Sequence, residues 1–198
     1  MPRTTRTFIA LPIPNPLKTK LERLQRLIAP SLEGARWVEP SGFHLTLAFL
    51  GDVDDTDLSK VCNAVTVAVA AAAPFHLTIK SLGTFPTPVK PRVVWVGIEG
   101  DLDALADLQK IVAVAATEAG YRPEDERFHP HIALGRLKVG RGPTIDATAL
   151  EAHYRLWAAG VFTAETVVVY ASTSTPEGPA YAPLGQAPIG VRPRRNRP

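Results

Sequence analysis

Two spacings of apolar residues alternate along this chain. From Phe8 to Pro14 the apolar residues run almost continuously and stop at prolines, which predicts a short strand with Pro12 near an edge or an end. Between residues 16 and 29, Leu17, Leu21, Leu24, Leu27 and Ile28 recur at helical spacing with basic residues between them. The segment 43–51, Phe43-His-Leu-Thr-Leu-Ala-Phe-Leu-Gly51, predicts a largely buried strand. Residues 56–73 are rich in alanine and valine, follow Asp54-Asp55 and end at Pro74, as a helix does. Strands are predicted over 75–82 and 92–98, separated by a proline-rich loop. A second alanine-rich helix over 101–119 closes at Gly120. A strand over 131–137, a helix over 144–157, a strand over 163–171 and a last strand at 181–184 complete the order.

That order repeats. A strand near Ile9, a helix and the strand of His44 are matched by a strand near Trp95, a helix and the strand of His131; the separations are 35 and 36 residues. Each half then adds a helix and a strand, near Leu77 and near Val167. The expected fold is α+β, with two pseudo-symmetric, interleaved lobes. Each lobe is an antiparallel sheet with helices on its outer face, and the lobes flank a central cleft. They form a single bilobal domain over residues 1–190.

Composition adds limits. At 198 residues, with 45% hydrophobic and 21% charged residues, the chain has the make-up of a globular domain. No apolar run approaches the length of a membrane span, and the short apolar stretch after Arg6 is broken by prolines, so neither a membrane segment nor a signal peptide is expected. One cysteine, Cys62, excludes an internal disulfide framework and a multi-cysteine zinc site. The expectation is a cytoplasmic monomer. The net charge of +3 is misleading, because the segment 191–198 carries four arginines and no acid. The body is close to neutral, and 191–198 is expected to be a disordered basic tail, either a plain solvated terminus or a segment that helps attract RNA or DNA.

The candidate chemistry sits on the repeated strands. On a strand, residues two apart share a face, so His44 and Thr46 point together, and His131 and Ala133 do likewise. Two imidazoles set across one cleft can act as acid and base on opposite sides of one phosphorus. Arg136, five residues after His131, faces away from it unless a bulge at Gly135 turns the strand; turned, its guanidinium can hold phosphate oxygens. His76 lies in the same local pattern as His44, but its counterpart segment 166–170 has no histidine, so it is read as structural. His129 and His131 are two apart without cysteine or carboxylate helpers nearby, so no metal is expected.

These residues resemble the 2H phosphoesterases, and within them the RNA 2′,3′-cyclic phosphodiesterases, also called 2′-5′ RNA ligases or LigT-like proteins. The marks are Phe8-Ile-Ala-Leu-Pro, Arg36-Trp-Val, the segment 43–52, Gly83-Thr-Phe-Pro, the segment 91–97, Phe128-His-Pro-His-Ile-Ala-Leu-Gly-Arg136, and Ser172 and Tyr181. The resemblance implies hydrolysis, without metal or other cofactor, of RNA 2′,3′-cyclic phosphate ends or cyclic nucleotides to 2′-phosphates, with reversible joining of RNA ends through a 2′-5′ linkage. It implies His44 as proton donor, His131 as proton acceptor, and Thr46 and Arg136 as phosphate ligands. Ala133 replaces the usual threonine or serine of the second motif. That departure leaves a second possibility, an RNA- or nucleotide-binding module with weakened chemistry.

Overall fold

In the computed structural model, which describes residues 3–124, 128–137, 145–176 and 178–191, the chain builds two antiparallel sheets with helices packed against them. β1 (Thr4–Pro12) leads into α1 (Asn15–Ile28), where Pro16 occupies the first turn and Leu17, Leu21, Leu24 and Ile28 are buried along one stripe. β2 (Ala35–Trp37) and β3 (His44–Asp54) follow, then α2 (Leu58–Val69), β4 (Phe75–Phe85), β5 (Val93–Gly100) and α3 (Leu102–Glu118). The second half continues with β6 (His131–Leu137), α4 (Thr148–His153), β7 (Ala158–Ala164), β8 (Thr166–Thr175) and β9 (Gly178–Pro188).

One sheet has the strand order β3-β1-β8-β9 and the other β2-β6-β5-β4-β7. The histidine strands β3 and β6 occupy equivalent places beside β1 and β5. The third strand of each half crosses over: β4 pairs with β5 in the His131 sheet, and β8 pairs with β1 in the His44 sheet. Neither lobe is therefore a continuous half of the chain. Two strands lie outside the expected order. β2 is only three residues long, below the length at which alternation can be read. β7 begins directly after the helix expected over 144–157, which is confined to Thr148–His153 among the described residues, and the expected strand over 163–171 is divided at Glu165 between the end of β7 and β8. Of the basic tail, all but Val191 lies outside the described residues.

The alternation of β3 and β6 breaks at matching points. Ile9 pairs with Ala48 and Ala10 with Thr46, so Leu47 is an extra residue. Val94 pairs with Gly135 and Trp95 with Ala133, so Leu134 is an extra residue. Leu47 and Leu134 each lie three positions after a histidine; β3 has a further register shift at Leu50, between the pairs Thr7–Gly51 and Phe8–Phe49. The buried residues follow the shifted phase: Leu45, Leu47 and Leu50 on β3, and Ile132, Leu134 and Leu137 on β6, are in the core. The opposite face of each strand carries His44, Thr46 and Phe49, or His131, Ala133 and Arg136. Arg136 thus shares the face of His131, through an extra residue at Leu134 rather than the expected Gly135.

A buried amide holds the second bulge. Gln25 on α1 donates through Nε2 to the carbonyls of both Leu134 and Val38, each at 2.8 Å, and the Val38 N–H also donates to Leu134. Gln25 is 6% exposed. Replacing Gln25 by leucine removes both donors and leaves buried carbonyls short of partners, at a cost of about 1–3 kcal/mol. Gln25→Leu is expected to lower the urea midpoint accordingly. An unchanged midpoint would show that this amide does not hold the bulge.

Candidate active site

The two histidine strands approach each other where the sheets meet, and their imidazoles are held alike. His44 Nδ1 lies 2.7 Å from the carbonyl of Gly42, and His131 Nδ1 lies 2.7 Å from the carbonyl of His129. A carbonyl only accepts, so Nδ1 carries a proton in each ring. Nε2 is then the working nitrogen: a lone pair when the ring is neutral, a donor when it is charged.

Aromatic walls surround both rings. His44 lies 4.7 Å from the ring of Phe8 and meets Tyr181 edge-on at 5.1 Å, and Phe8 in turn stacks on Tyr170 at 5.2 Å. His131 meets Phe85 edge-on at 5.1 Å, with Trp95 at 6.1 Å. Burial disfavours the charged imidazole and pushes His44 down to about 4. The carbonyl of Gly42 opposes that shift, while the charges of His131 and Lys18 add to it. His131 is also pushed down, by burial first and then by the charges of His129 and Arg136 against the upward pull of the His129 carbonyl. These cross-influences put His44, His131, Lys18 and Arg136 in one electrostatic neighbourhood. Tyr181 belongs to it too: burial raises its hydroxyl pKa, and Arg136 draws it back.

Thr46 is half-buried on the His44 face, and its hydroxyl has no hydrogen bond among the described residues. Ala133 is likewise half-buried and lies opposite Trp95 in the ladder. The Trp95 ring leans the other way, over Gly83, where an added Cβ would come within 2.3 Å of Cη2. His76 stands apart at the start of β4, exposed, with Nδ1 3.2 Å from the Thr163 hydroxyl. Sequence reasoning missed Lys18, whose Nζ donates to the Ser41 carbonyl at 3.4 Å. It also gave no site role to Phe8, Tyr170 or Tyr181. Their signal is pairing: Phe8 is opposite both Phe49 and Tyr170 in the ladders. An apolar groove of about 620 Å³ between α2 and α3, lined by Val67, Ile111 and Val114 among others, is a feature separate from these residues.

A family model for LigT-like phosphoesterases matches this chain twice, over residues 11–95 and 96–181. The chain belongs to that family. The two matches to the LigT-like model meet within β5 and hold one histidine strand each. Curated relatives named RNA 2′,3′-cyclic phosphodiesterase include one from Methanothermobacter thermautotrophicus, 30% identical over 90% of this chain and 96% of its own length. Another, from Thermotoga maritima, is 31% identical over 90% of this chain and 92% of its own length. A third, from Geobacillus stearothermophilus, is 33% identical over 92% of this chain, which spans only 56% of that longer protein. Among solved structures, TT0787 of Thermus thermophilus superposes with a TM-score of 0.76 at 26% identity, covering 94% of this chain and 98% of its own. LigT of E. coli complexed with 3′-AMP shares the fold, with a TM-score of 0.73 at 23% identity, covering 94% and 99% of the two chains.

Anion binding should reverse the His44 shift. A phosphate beside the ring stabilises the imidazolium and raises the pKa, so binding takes up a proton. In an NMR titration His44 should titrate near 4 in the free protein and move upward when inorganic phosphate is added. A titration midpoint indifferent to phosphate would mean that the anion does not reach this ring.

Proposed function

We propose that this LigT-like chain hydrolyses RNA 2′,3′-cyclic phosphate ends to 2′-phosphomonoesters, with both proton transfers carried by its own histidines. The observation that carries this is the matched pair of Nδ1-anchored imidazoles on equivalent strands. The relatives' shared name, RNA 2′,3′-cyclic phosphodiesterase, supports the choice of substrate.

The chemistry follows from the tautomers. Neutral His131 takes a proton from water through Nε2 as the water oxygen attacks phosphorus. The P–O3′ bond breaks, and protonated His44 delivers its Nε2 proton to the departing 3′-oxygen. The 2′-oxygen stays on phosphorus. Thr46 donates to a non-bridging oxygen, and Arg136 balances the charge that grows there. The anionic substrate itself raises the pKa of His44, which supplies the acid that the free protein lacks near neutrality. One chain provides every group, so no second copy is required. No helix among the described residues is long and apolar enough to cross a membrane, and the activity suits a cytoplasmic RNA-processing role.

A second reading, an RNA- or nucleotide-binding module with weakened chemistry, draws on Ala133 and on the four arginines of the segment 191–198. The test for both is incubation of the purified protein in EDTA with a 2′,3′-cyclic nucleotide and with a cyclic-phosphate-ended oligonucleotide, resolving products by phosphate position. The 2′-phosphate is the expected product. His44→Ala and His131→Ala should each lower kcat by about 10²–10⁴-fold, the usual contribution of a positioned acid or base. His76→Ala should stay within about a few-fold, since this ring has no proton to move in that scheme. Binding without turnover in the wild-type protein would favour the module, and loss of activity in His76→Ala equal to that in His44→Ala would overturn the assignment of the pair.

Ala133→Thr offers a finer test. The side chain at 133 shares the face of His131, and the Trp95 ring opposite it lies over Gly83 on the neighbouring strand. A hydrogen bond to a charged group contributes roughly 1.5–3 kcal/mol, and about 1.4 kcal/mol is tenfold in rate. The expected rise in kcat/KM is therefore up to about ten- to a hundredfold. A folded variant no faster than wild type would mean that the phosphate oxygen facing Ala133 is already served.

A further inference from the structure

Arg36 and Arg136 are direct partners in the antiparallel pairing of β2 and β6. Side chains of directly opposed residues leave a sheet on the same side, and like charges placed there repel. Both are exposed, and neither has a carboxylate within ion-pair distance among the described residues. Since Arg136 shares the face of His131, so does Arg36. Their placement differs in depth. The charge of Arg136 is felt at His131 and Tyr181, whereas Arg36 stands one strand further out, on the edge of the His131 sheet. The cation on the other side of the cleft, near His44, is Lys18.

Resting on the phosphodiesterase reading above, we infer that Arg36 holds the phosphodiester of a second RNA strand whose 5′-hydroxyl occupies the place of the attacking water. His131 marks the side of phosphorus from which the nucleophile comes, and Arg36 belongs to that side. A 5′-hydroxyl there transfers its proton to His131 while the P–O5′ bond forms. The P–O3′ bond breaks, and His44 gives its proton to the 3′-oxygen. Atoms and charge balance without a further reactant, and the product is a 2′-5′ linkage. The next phosphate of the incoming strand lies one nucleotide out from the reacting centre, beyond Arg136 and toward the edge strand. A guanidinium left without a protein anion and facing the same cleft is the group to receive it.

The probe is a 2′-5′-linked dinucleotide with 3′-deoxyribose at the junction, which has no 3′-oxygen to attack and so resists cleavage. It is compared with the same compound extended by one phosphodiester on its 3′ side, and with one extended on its 5′ side. Affinities of the full chain and of Arg36→Gln are measured across a series of salt concentrations. Wild type should bind the 3′-extended ligand about tenfold more tightly than the dinucleotide, as expected for one charge-assisted contact. Arg36→Gln should lose that advantage, with the salt slope for this ligand falling by about one, while the preference for the 5′-extended ligand persists. Arg36→Lys should recover part of the advantage. A 3′-extension preference that survives Arg36→Gln, or a loss shared equally by the two extensions, overturns the assignment. Failure of wild type to open a 2′,3′-cyclic nucleotide would sink the phosphodiesterase reading by itself, and the binding comparison would still report on Arg36.

Discussion

The cleft depends on the extra residue that follows the histidine in each histidine strand. Leu47 and Leu134 each fall out of register three positions after a histidine. Without them, alternation would carry residue 49 or 136 to the core side with the leucines. With them, each strand buries three large apolar residues and still presents a third side chain on the face of the histidine. The cost of a bulge is an unpaired backbone group. At Leu134 that group is the carbonyl that accepts from Gln25 and Val38. A helix residue over a hundred positions away in sequence therefore helps to aim Arg136.

Near-symmetry then supplies a pair of similar imidazoles, and asymmetry gives them different surroundings. His44 sits among Phe8, Tyr170 and Tyr181 and is pushed down to about 4. His131 sits against Phe85 with Arg136 nearby. Five positions after each histidine, the same face carries Phe49 in one lobe and Arg136 in the other. At this matched position one flank is aromatic and the other cationic, which gives the cleft a direction. A nucleotide has an apolar, stackable end and an anionic end, so a cleft with direction can orient it, while a symmetric one cannot. The exchange of β4 and β8 between the sheets joins the flanks through the backbone itself, so that neither sheet is complete without both halves of the chain.

The sequence by itself determined the histidine pair, the threonine beside His44 and the alanine that departs from the pattern. Those positions are set by local alternation and by a repeat of element order, both of which are properties of neighbouring residues. It also carried the outer elements with long periodic runs, such as α1 and α3. It did not carry β2 and β7. The first is too short to show a period, and the second follows the expected helix directly, where Ala158, Ala159 and Gly160 show no clear alternation. The location of the bulge was legible only as a condition on Arg136, because an extra residue is defined by what the partner strand does. Arg36, Lys18, Phe8 and Tyr181 join the candidate site only through the tertiary structure. Arg36 faces the cleft because β2 pairs with β6 about a hundred residues later, and Tyr181 reaches His44 because β9 closes the sheet that β1 and β3 began. Such neighbours come from long-range pairing, whose register is fixed by the packing of whole sheets.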